Sequence, residues 1–260
     1  MNKPIIVSVV RDYAMYDKCI AKNPVVSGYR LEPIDNRERN EYITVCYNRT
    51  IEKFADADTW LIFCHEDFQF LEDPALLLEK ADKNSIYGPI GGVLEKKFHC
   101  LYGEHWKGSF VGLILESEKD GSGVGELGKR VPMDSVVETL DCQCVIVHST
   151  LLKKYRLGFD ERLSYDLYVE DFCINALVKG GVKTKIIPVK CQHYSHGTIA
   201  PRFFLQSDYL CRKYPKMEFF GAVGYYIGGG RTPLRRLQKK TRSFLDRHCP
   251  WLSKALQDLV

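Results

Sequence analysis

At 260 residues, with 45% hydrophobic and 27% charged side chains, the chain can bury a full core and falls outside the disordered and fibrous classes. A net charge of +4 gives no general case for nucleic-acid binding, although the last thirty residues are conspicuously basic. Ten cysteines without a CxxC pair, no run of eighteen apolar residues and a start without signal-peptide character together predict a cytosolic protein with reduced thiols.

Residues 5–10 (IIVSVV) form a first buried strand that exits at Arg11-Asp12. A helix over 13–22 ends before Asn23-Pro24, because the residue preceding proline avoids the helical region. Residues 29–34 make a second strand, weakened by Pro33, and Asp35-Asn36 lie just past its end. Ile43, Tyr47, Ile51 and Phe54 give a helix over 40–55 one apolar stripe. The unbroken run WLIFC at 60–64 is a central strand covered on both faces, and His65, Glu66 and Asp67 follow where it leaves the sheet. This alternation predicts a parallel α/β sheet with right-handed crossovers.

Further on, a short helix is expected at 75–82, strands at 86–93 and 110–115, and a mobile loop at 117–130. The glycines of GPIGG permit a close backbone approach of the kind a ligand exploits. A strand at 138–148 and a helix at 150–157 come next. The helix beginning near Val169 carries an apolar stripe at 169, 172, 173, 176 and 177 and closes at Gly180-Gly181. Residues 183–189 form the last strand.

Acidic residues at the carboxyl ends of such strands are well sited for chemistry, and Asp67 can hold a divalent cation on phosphates. Glu170 and Asp171 fall on the first turn of their helix, where the dipole alone favours carboxylates; a general base is the functional alternative. His193 and His196 resemble a metal-ligand pair but lack a third neighbour in sequence, so either could complete a site begun by Asp67. Asp35 and Asn36 suit contacts to a base or ribose, or an Asx turn.

Taken together, IIVSVV, PIDN, YNRTIEKFADADTWLIFCHED, GPIGG and the spacing GFDE…YVEDFC…GG…P…H resemble the GT-A glycosyltransferases of family 2, most closely their StrF-like subset. The resemblance covers roughly residues 4 to 215. It implies an α/β fold of the GT-A (nucleotide-diphospho-sugar transferase) type: a central, mostly parallel sheet with helices on both faces. The domain would span 1–215, and 216–260 would be a basic amphipathic helical extension. The implied activity is inverting transfer from a nucleotide-diphosphate sugar, a UDP-sugar above all, to a saccharide or lipid-linked saccharide in polysaccharide biosynthesis, with Mg²⁺ or Mn²⁺ as cofactor. Carried over residue by residue, Asp35 and Asn36 would contact uracil or ribose and Asn48 would open the helix before the metal motif. Asp67 would be the last carboxylate of DxD, with His65 in the place of its first. His193 or His196 would reach the metal, and Asp171, paired with Glu170, would be the base. His65 in place of aspartate keeps open a non-catalytic nucleotide- or sugar-binding relative. In the tail, Arg231, Arg235, Arg236, Lys239 and Lys240 interleave with Leu234 and Leu237. That pattern fits either a helix packed on the domain with a solvated basic face or peripheral contact with the inner face of a membrane.

Overall fold

The computed structural model describes residues 3–99, 103–195, 200–221 and 224–230, together with 237, 241, 244, 245, 248 and 249. Strand β1 (Ile5–Val10) is followed by α1 (Tyr13–Tyr16), whose first turn is capped by Asp12 Oδ1 accepting from the amides of Ala14 and Met15. The chain winds on through a π-helical turn, Asp17–Ala21, so the expected helix is present but not purely α. Strand β2 (Arg30–Asp35) lies at the sheet edge, which is where a strand accommodates Pro33. Helix α2 (Ile43–Lys53) buries Ile43 and Tyr47, and β3 (Trp60–Cys64) is at most 1% exposed at each residue.

The rest of the chain adds β4 (Phe68–Phe70), α3 (Ala75–Leu78), β5 (Ser85–Gly88), β6 (Ile90–His99), β7 (Gly103–Glu116), β8 (Gly125–Lys129), β9 (Val136–Val137), β10 (Thr139–Leu140) and β11 (Cys144–His148). Then follow α4 (Ser149–Tyr155), α5 (Tyr168–Gly180), β12 (Lys183–Ile186), β13 (Cys191–His193), α6 (Pro201–Lys213), β14 (Phe219–Phe220) and β15 (Tyr226–Ile227). The central sheet has the order β2-β1-β3-β11-β5-β12-β9. Only β11 and β9 run against the other strands, so the fold is the α/β architecture with a mostly parallel sheet that the sequence predicts. A second sheet, β10-β6-β7-β13-β4 with β8 beside β7, carries the remaining long strands.

Strand alternation divides the core. Ile5, Val7, Leu61 and Phe63 meet Tyr47 of α2, Phe172 of α5 and Leu210 of α6 on one face. Ile6, Trp60, Ile62 and Cys64 meet Tyr16, Ile20 and Leu78 on the other. Each large side chain so buried contributes about 1.5–3 kcal/mol. Phe219 and Ile227 also belong to the first of these clusters.

Several segments differ from expectation, each for a local reason. The strand expected at 86–93 is cut at Pro89 into β5 and β6, which join different sheets. The strand expected at 138–148 is likewise divided into β10 and β11 by a turn at 141–143. Residues 125–129, expected in a loop, pair with β7. There a Cβ on Gly128, whose φ is +88°, would stand 2.2 Å from the Gly112 carbonyl oxygen. The close approach predicted at GPIGG exists, but it is made by the chain itself: a Cβ on Gly92 would lie 2.0 Å from the Phe220 carbonyl oxygen. Finally, α5 closes as expected on left-handed Gly181, yet Leu177 is 40% exposed while Glu170 and Asp171 are buried.

No disulfide joins any of the nine described cysteines. Among the described residues no helix is long and apolar enough to cross a membrane. Most of 231–260, including Arg231, Leu234, Arg235, Arg236, Lys239 and Lys240, lies outside the described residues, as does His196.

Candidate active site

The site begins where β3 leaves the sheet. The Phe68 amide donates to the His65 carbonyl, closing a turn that carries His65, Glu66 and Asp67 to the strand's carboxyl end. Strand β4 then pairs antiparallel with β13 so that His193 stands opposite Phe68, and the Tyr194 amide donates to the Asp67 carbonyl at 2.9 Å. That register sets His193 beside Asp67.

His65, Asp67 and His193 each offer a ligand atom, and these atoms lie within 4.8 Å of one another. His193 Nε2 approaches Asp67 Oδ1 to 3.3 Å without the alignment of a hydrogen bond. Asp67 Oδ1 and both ring nitrogens of His193 are buried and have no hydrogen-bond partner among the described residues, which is costly unless something else satisfies them. Burial pushes the Asp67 carboxyl up, but His193 and His65 outweigh it and hold the group below the usual carboxylate range. Burial works to lower His193, and Asp67 outweighs it, so His193 is raised; His65 is lowered, chiefly by burial. Two imidazoles and one carboxylate, offering the unsatisfied Asp67 Oδ1 and His193 nitrogens beside His65, fit a divalent transition-metal cation.

His65 is held from two sides. Its ring stacks on Tyr165 at 5.6 Å between centroids, and its Nε2 lies 3.2 Å from the Tyr168 hydroxyl, which in turn donates to the Cys142 carbonyl at 2.8 Å. Beside the cluster is a hollow of about 600 Å³. Its walls come from the exits of β1 and β2, from the His65–Asp67 turn, and from Tyr165 and Arg202. Glu66 ties two of these walls together, accepting from the backbone amides of Arg11 at 2.5 Å and Asp12 at 2.9 Å. Arg202 pairs with Asp166 at 2.6 Å and lies over the Tyr165 ring. Tyr42 and Tyr165, 53% and 44% exposed, present aromatic surface at the rim.

Of the residues put forward from sequence, the structure brings His65, Asp67, His193 and Asn36 to this place. Asn36 exchanges two hydrogen bonds of 2.9 Å with the backbone of Glu41, so its amide is committed to holding the 36–41 loop. Asp35 turns outward into a two-point pair with Arg37, whose guanidinium holds its carboxyl below the usual range. Asn48 clamps the backbone of Phe159 in both directions, at 2.8 and 2.9 Å, and does not line the hollow.

Glu170 and Asp171 do not line it either. Asp171 accepts from Lys213 Nζ at 2.7 and 2.8 Å and from the Tyr214 hydroxyl at 2.8 Å. Lys213 also holds Asp160 at 2.8 Å, so these charges lock α5 to α6. Burial raises the Asp171 carboxyl despite Lys213. Glu170 is fully buried, neither of its carboxylate oxygens has a hydrogen-bond partner among the described residues, and burial followed by the nearby Asp141 raises it well above the carboxylate range. Sequence reasoning sets Glu66 at the strand exit without a role of its own and assigns none to Tyr165, Tyr168 or Arg202. Glu66 sat inside the strand-exit motif and Tyr168 two residues before the Glu170-Asp171 pair, but neither has a spacing that announces its partner.

No family model and no curated protein matches the sequence. Among solved structures the chain is similar to A197 from STIV, at 11% identity and a TM-score of 0.42, covering 86% of this chain and 93% of that one. It is also similar to GalNAc-T7 with UDP, GalNAc and Mn²⁺, at 10% identity and a TM-score of 0.46 over 74% of this chain. A third is residues 1–349 of S. aureus TarS, at 13% identity and 0.42 over 74%. The chain spans 43% and 60% of the length of the last two. At these scores the likeness carries no argument about chemistry.

Proposed function

We propose that this protein is a metal-dependent glycosyltransferase that moves a sugar, with inversion, from a nucleotide-diphosphate donor to a glycan acceptor. The observation that carries the reading is the His65–Asp67–His193 cluster, in which Asp67 Oδ1 and both His193 nitrogens are buried without a hydrogen-bond partner among the described residues, at the edge of a hollow of about 600 Å³, within the usual range for ligand sites. The resemblance noted in the sequence supplies the reaction class. His65, Asp67 and His193 would hold the cation, Mn²⁺ being better suited than Mg²⁺ to two nitrogen donors. Bound there, it would supply charge neutralisation at the leaving diphosphate.

The protein's own groups divide the remaining work. Arg11 and Arg202 add positive charge to the same hollow, and Tyr42 offers a flat face to a base or sugar ring. Glu66 keeps the two strand exits in register by holding the Arg11 and Asp12 amides. Asp171, the base implied by the resemblance, would have to part from Lys213 and Tyr214 to take a proton.

That engagement favours a second reading, a non-catalytic relative that binds nucleotide or sugar. A release assay for UDP from UDP-sugars with Mn²⁺, run beside calorimetry of UDP binding, separates the two. Turnover that disappears in Asp67→Ala supports the transferase; tight binding with no turnover across donors and acceptors supports the binding relative.

A further inference from the structure

We propose that Tyr168 is the positioning residue that sets the tautomer of His65, presenting the His65 Nδ1 lone pair to a divalent cation; this rests on the metal reading of the site. The phenol of Tyr168 carries a single proton. A carbonyl oxygen accepts and never donates, so the Tyr168 hydroxyl, 2.8 Å from the Cys142 carbonyl oxygen, commits its single proton there. Toward His65 Nε2, 3.2 Å away, the same oxygen can therefore only accept. Nε2 must carry the hydrogen, and the neutral ring keeps its lone pair on Nδ1.

The phenol is not free to adapt. Tyr168 is fully buried, and its ring packs against Tyr47 at 6.1 Å and Phe159 at 5.6 Å between centroids. It opens α5 directly after Leu167, a buried residue in the left-handed region at φ 59°, so the backbone leading to it is unusual for a leucine. Tyr165, stacked on the imidazole, fixes the plane in which Nδ1 points. An outer partner of this kind both orients a ligating histidine and settles which nitrogen is bare.

The test uses the full chain and two readouts besides activity. Nitrogen-15 NMR of the metal-free protein, with the His65 signals assigned by their loss in His65→Gln, reports the tautomer directly. The Nε2–H form is expected in the wild type and a mixture in Tyr168→Phe. Titration with Co²⁺, followed by its visible absorption, should show affinity reduced roughly 10–100-fold in Tyr168→Phe. An Nδ1–H tautomer in the wild type overturns the proposal, and that measurement decides alone if Tyr168→Phe does not fold. Co²⁺ affinity unchanged by Tyr168→Phe overturns this inference while leaving the metal reading standing. A wild type that takes up no Co²⁺ overturns both.

Discussion

Asp67 Oδ1 and His193 Nε2 stand 3.3 Å apart at the carboxyl end of the central strand, and neither has an aligned hydrogen-bond partner among the described residues. The pairing of β4 with β13 brings them together, so the site is assembled by strand register rather than by a contiguous motif. A cation that binds only the folded chain stabilises it, by about 2.7 kcal/mol at a hundredfold excess over Kd. Thermal unfolding with and without Mn²⁺ should show an upward shift in the wild type and none in His193→Ala. An equal shift in both would place the metal elsewhere.

Asp171 and Lys213 behave as a latch between α5 and α6. Removing the charge in Asp171→Asn should destabilise the fold by about 1.5–3 kcal/mol, the scale of hydrogen bonds to a charged group. Lys213→Met should cost a similar amount, and the double variant less than the sum, measured by urea denaturation. Mn²⁺ affinity should stay unchanged in all three. If Asp171→Asn keeps full stability and loses only transfer, Asp171 is a base and not a latch.

Glu170 makes a pH prediction of definite sign. Its native carboxyl sits well above the unfolded value of about 4.3, so the folded state binds a proton that the unfolded state has released. Its contribution is fully present below that unfolded value and is lost as pH rises above it. Glu170→Gln removes the titration. Its stability relative to wild type should therefore improve from about pH 4.3 upward, by at most about 1.4 kcal/mol per pH unit. Denaturation at pH 4, 6 and 8 checks this; a difference that stays constant would contradict it.

The parts legible in the sequence are those set by local pattern. β1 is an apolar run broken only by Ser8, β3 is an unbroken one, α5 ends on glycine, and His65 with Asp67 follows β3 directly, so their places could be predicted without coordinates. What pattern cannot supply is partnership across the fold. Asp171 meets Lys213 and Tyr214 only because α6 packs on α5. Asp35 is taken by Arg37, which local charge could have suggested, whereas the phenol of Tyr168 reaching His65 has no signature in spacing. The break at 141–143 has no signature because the loose alternation of 138–148 continues across a change of sheet, whereas Pro89 itself marks the break between β5 and β6.

Gly92 packs against the Phe220 backbone, and the contact can be tested. Gly92→Ala would drive a methyl group into the Phe220 backbone, so a loss of about 1–3 kcal/mol is expected. If the glycine serves a ligand instead, stability would hold and nucleotide binding would fall.

The most direct measurement is calorimetric titration of UDP into the full chain, with and without Mn²⁺, for the wild type and Asp67→Ala. Binding that requires Mn²⁺ in the wild type, and loses that requirement together with most of its affinity in Asp67→Ala, is the predicted result. UDP bound equally well by both proteins, whether or not Mn²⁺ is present, would contradict a metal-held diphosphate at His65, Asp67 and His193.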